Sequence, residues 1–142
     1  MSLLALRRRP DWRTRLVAAV DDFRGAPFAW DGAHDCGMFF ADVVLAVTGT
    51  DIAEPLRGRY RSKAGAFRAL RSLGFDDHVA YVASLLPEID NPAMARAGDG
   101  AVIETADGPA LAIVAGATIS CYAPSGLGFV PFGSAARAFK VG

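Results

Sequence analysis

Residues 34–36 set a histidine, an aspartate and a cysteine side by side, at the point where a loop gives way to an apolar helical pattern. A cysteine attacks only as thiolate, so a nucleophilic Cys36 needs surroundings that lower its pKa. The first turn of a helix supplies them through unpaired N–H groups and the positive end of the dipole. Asp35 has the side chain of an N-cap and would fix where the helix begins. The amide of Cys36 can donate to an oxyanion during acyl transfer. His34, two residues before the sulfur, is the candidate base to take the thiol proton. Against this chemistry stands a plainer reading, in which Cys36 is a small apolar residue heading a buried stripe.

The second histidine, His78, sits beside Asp76 and Asp77 and reads as a surface or capping residue. Asp99 reads as a turn residue, and Cys121, alternating with Ile119, as core. No Cys/His cluster has zinc-ligand spacing, so neither metal nor cofactor is expected, and the two cysteines read as free thiols.

The elements that must hold these residues divide the chain in two. Trp12, Leu16, Val20 and Phe23 recur at steps of three and four and predict a helix over 11–24. A second helix is predicted from Cys36 to about Val47, with Asp42 on its polar side and Gly49 closing it. Ser62 is the expected N-cap of a third helix stopped by Gly74, and Asp76 or Asp77 that of a fourth ending before Pro87. After a linker over 87–100, the segments AVIET, ALAIVA, TISCY, LGFVPF and AFKV read as short strands separated by Gly, Pro and Asp. Helices first and strands afterwards give an α+β domain, with N-terminal helices packed on a C-terminal antiparallel sheet or small open barrel.

Composition narrows the function. At 142 residues the chain is expected to form a single domain, 1–142, with room for a proper core. Fifteen basic and fifteen acidic residues cancel, which argues against nucleic acid as a general partner. The run Arg7-Arg8-Arg9 reads as a solvated arm. No signal peptide and no membrane-spanning run are visible, so synthesis in the bacterial cytoplasm is expected.

The segment GAPFAWDGAHDC resembles the entry motif of the NlpC-type cell-wall peptidases, a papain-like superfamily, whose pattern is G-T-P-Y-x-W-G-G, a loop, then D-C-S-G at a helix start. Gly25, Pro27, Trp30, Gly32, Asp35 and Cys36 fall on matching positions. ARAGDGAVI is similar to that family's P-G-D-L-V-F strand entry, and ALAIVAG to its H-V-G-I-Y-L-G strand. The chain also resembles an uncharacterised branch of such proteins, coded among phage and prophage tail genes. The resemblance implies a papain-like fold with Cys36 as nucleophile, Asp35 as the cap that fixes it, and Trp30 and Phe28 lining a substrate cleft. The departures are specific: the family's histidine position is Ala110, its tyrosine is Phe28, and its serine after the cysteine is Gly37. His34 is then a non-standard base. The expectation that follows is a tail-associated protein, destined for the virion, that kept the fold and lost the chemistry. Its expected partners are other tail or tail-tip proteins. The alternative is an active cysteine hydrolase cutting amide bonds of peptidoglycan peptide.

Overall fold

The computed structural model describes residues 3–142. Four helices come first: α1 (Trp12–Asp21), α2 (Cys36–Thr48), α3 (Lys63–Ser72) and α4 (His78–Leu85). A six-stranded sheet follows, made of β1 (Glu88–Ile89), β2 (Gly100–Thr105), β3 (Gly108–Val114), β4 (Thr118–Ala123), β5 (Gly126–Pro131) and β6 (Ala135–Phe139). Its strand order is β1-β6-β2-β3-β4-β5 and every pair is antiparallel. The domain is therefore α+β. No helix among the described residues is long and apolar enough to cross a membrane.

The caps form where the short polar side chains stand. Asp35, Ser62 and Asp77 each accept a backbone N–H three residues on, from Met38, Gly65 and Ala80. Gly49 closes α2 at φ 82°, a left-handed conformation that favours glycine. The helix α1 is shorter than its apolar stripe, since the chain turns off after Asp21 while Phe23 still reaches the core.

The helix α2 lies against β3 and β4 and is the centre of the core. Phe39, Phe40, Val43, Val44 and Val47 are fully buried on it. At about 1.5–3 kcal/mol per buried side chain, these five alone outweigh any single polar contact in the fold. They pack on Val102, Leu111, Ile113, Tyr122 and Phe139, which form the inner face of the sheet. The outer face gathers a second cluster of Ala101, Ile103, Ala112, Val114, Ile119 and Cys121.

Three expectations need correcting. The arginine run is not a solvated arm, because Arg8 is clasped inside the fold. Its guanidinium donates to the carbonyls of Ala97 and Val141 and to the Asp99 carboxylate, at 2.7, 2.8 and 2.9 Å. Asp99 is more than a turn residue. It is buried and also accepts the N–H groups of Arg96 and Val141. The presumed linker holds the short strand β1, which pairs with β6.

Candidate functional site

The loop before α2 is folded by its own polar atoms. Asp31 accepts the N–H groups of Ala33 and His34 at 2.9 Å, and Ala29 pairs with His34 in an isolated antiparallel bridge. Gly32, at φ 91°, passes so close to the Tyr60 carbonyl that a Cβ would lie 2.8 Å from its oxygen. Only glycine fits there. Beneath the loop, the Tyr122 hydroxyl donates to the Ala26 carbonyl at 2.7 Å, and its ring packs among Phe23, Phe28 and Phe39.

Cys36 is the first residue of α2 and is 5% exposed. It borders a cavity of about 110 Å³ that Phe28, Trp30, Phe67, His78 and Tyr122 also line. The structure thus brings Phe28, Trp30, Asp35 and Cys36 together. His34 goes elsewhere. Its Nδ1 meets the Asp31 carboxylate at 2.8 Å, and its half-exposed ring borders a separate open groove with Arg9 and Phe23.

Sequence reasoning missed two residues of this site. One is His78, which is not a surface residue: its Nε2 lies 2.8 Å from the Pro109 carbonyl and its Nδ1 is buried without a partner. That carbonyl can only accept, so the contact places a proton on Nε2. The other is Tyr60, whose hydroxyl donates to Asp35 at 2.6 Å. No local pattern announces a tyrosine twenty-five residues away as the partner of a helix cap. Ala110 lies on β3. It pairs with Ile103 and packs with the outer cluster, while Leu111 faces α2. Ala110 also lines the cavity that Cys36 borders.

One family covers this whole arrangement. DUF6950, described as a domain of unknown function, matches residues 7–141. The chain belongs to this family. Its match takes in both Arg8 and Val141, so the clasp lies within the family unit. No curated protein matches the chain.

Electrostatics decide what the cysteine can do at rest. Burial pushes the Cys36 thiol up to about 11; the N–H of Leu111 offsets part of this, and the charge of Asp35 adds to it. At pH 7 roughly one sulfur in ten thousand is thiolate. No imidazole is hydrogen-bonded to it among the described residues. Among those residues, too, no three His, Cys, Asp or Glu side chains gather as a metal site.

Asp35 is itself raised by burial, with the Tyr60 and Met38 hydrogen bonds pulling back. A carboxyl whose folded pKa exceeds its unfolded one holds a proton that the unfolded chain gives up. Its contribution to stability is full below the unfolded value and is lost as pH rises through the folded one. Asp35→Asn, which cannot ionise, is therefore expected to gain in melting temperature relative to wild type as pH rises from 4 to 7. Thermal melts across that range check it; a difference constant with pH would mean that Asp35 is not raised.

Proposed function

We propose that the chain is a phage or prophage tail-associated protein that keeps an NlpC-type papain-like fold without the peptidase reaction, and serves a structural or assembly role at the tail tip. The motif GAPFAWDGAHDC supports the likeness, as does the order of a helix, a Cys-headed helix, further helices and an antiparallel sheet. The observation that carries the loss of chemistry is the Cys36 thiol, buried, raised to about 11 and without a hydrogen-bonded imidazole. A nucleophile needs the reverse of each of these. In this reading Asp35 and Cys36 begin a core helix, and Phe28 and Trp30 brace the loop above it.

A second reading has one specific observation in its favour. His78 lines the same cavity as Cys36, with Nε2 fixed by Pro109 and Nδ1 buried without a partner. That arrangement suits a general base in a cysteine hydrolase acting on peptidoglycan peptide.

The two readings predict opposite pH profiles. In a Cys121→Ala background, alkylation of Cys36 is expected to be slow from pH 6 to 8 and to climb only above about pH 9, in line with a raised thiol. His78→Ala and His34→Ala should leave that profile unchanged, and purified protein should release no peptide from peptidoglycan. Rapid alkylation at pH 6 that disappears in His78→Ala, with peptide release lost in Cys36→Ala, would establish the hydrolase instead.

A further inference from the structure

The chain is neutral overall, but its charge is not evenly spread. From Pro55 to Phe75 there is no acidic residue, whereas Arg57, Arg59, Arg61, Lys63, Arg68 and Arg71 all fall within this stretch. Asp42 and Asp51 are already committed, because Arg57 pairs with each of them at 2.8 Å. Arg59, Arg61, Arg68 and Arg71 are exposed, and none has an ion-pair partner among the described residues.

The fold then gathers three of these arginines. The segment before α3 and the first two turns of α3 enclose an open groove of about 580 Å³, bordered by Arg59, Arg61 and Arg68 with Ser62, Gly65 and Ala69. Arg68 leans back over the helix start, its Nη2 lying 3.8 Å from where a Cβ on Gly65 would stand. The groove includes the start of α3, where the positive end of the helix dipole adds to the charge of the arginines. Small side chains line the floor, so an extended chain can lie down between the arginines.

We propose that this groove docks an acidic segment of a partner protein, with Asp or Glu carboxylates seated on Arg59, Arg61 and Arg68. Planar guanidinium forks bind carboxylates in pairs of parallel hydrogen bonds, which suits arginine better than lysine to the task. Single-stranded nucleic acid fits the groove less well. It needs aromatic platforms for its bases, and the one aromatic residue here, Tyr60, is buried with its hydroxyl given to Asp35. The proposal does not depend on the Cys36 cavity, and it gives the assembly role a physical contact.

The probe is a fluorescently labelled octaglutamate peptide, followed by anisotropy with the full chain at low salt. Binding is expected, weakening as salt rises. Arg59→Gln/Arg61→Gln/Arg68→Gln should weaken it by about tenfold, as the loss of three exposed ion pairs implies. The three side chains are exposed, and thermal melts confirm that the variant is folded. Arg13→Gln/Arg15→Gln/Arg24→Gln makes the same change in net charge on and after α1 and should leave binding within about twofold of wild type. The proposal is overturned if wild type does not bind, if the groove variant binds as wild type does, or if the α1 variant loses as much. An oligothymidylate of equal charge that binds more tightly than the peptide would overturn it in favour of nucleic acid.

Discussion

Replacing Asp99 with alanine is expected to cost about 3–5 kcal/mol, the range for stripping one partner from a buried ion pair. The side chains of Arg8 and Asp99 are only 11% and 3% exposed. Burial lowers the Arg8 pKa against the pull of Asp99, the carboxylate that compensates this buried cation. Without it, a cation is left buried, and the N–H groups of Val141 and Arg96 lose their acceptor. Urea denaturation of Asp99→Ala measures the loss directly. The double variant Arg8→Met/Asp99→Ala should recover part of it, because the apolar chain leaves no orphaned charge. A loss below about 1 kcal/mol in Asp99→Ala would mean that water reaches the pair and the clasp is a surface contact.

The second large effect is expected at Gly100, the first residue of β2. A Cβ there would stand 2.6 and 2.8 Å from Cε1 and Cζ of Phe40, a fully buried ring on α2. At these distances either the ring or the strand must shift. Overpacking of this kind costs about 1–3 kcal/mol. Gly100→Ala should therefore melt well below wild type, and Phe40→Leu placed in the same chain should cost less than it does alone. Gly128→Ala is the control. A Cβ there meets nothing within 4 Å, and the change should stay within about 0.5 kcal/mol of wild type. Equal melting of Gly100→Ala and Gly128→Ala would show that α2 does not press on β2.

Much of this architecture was legible because its signals are local. The stripe from Cys36 to Val47, the caps Ser62 and Asp77, and the alternating segments after Asp99 are all written within a few residues of where they act. The site was less legible because its contacts cross the fold. Tyr60 reaches Asp35 over twenty-five positions, and His78 reaches Pro109 over thirty-one. Closeness in sequence misled in turn. His34 is two residues from Cys36, but Asp31 and the bridge to Ala29 turn its ring to the other side.

The clasp also bears on how the chain closes. The bond from Arg8 to the Val141 carbonyl joins positions 133 apart, so nearly the entire polypeptide is the loop it fastens. Bringing two such distant points together from a disordered chain costs roughly 4 kcal/mol of entropy, more than one hydrogen bond returns. The fastening can therefore form only after α2, β2 and β6 have already brought the two ends side by side. Arg8 works as a latch whose last hold is Val141: a ribosome-bound chain still lacking that residue offers it only Ala97 and Asp99.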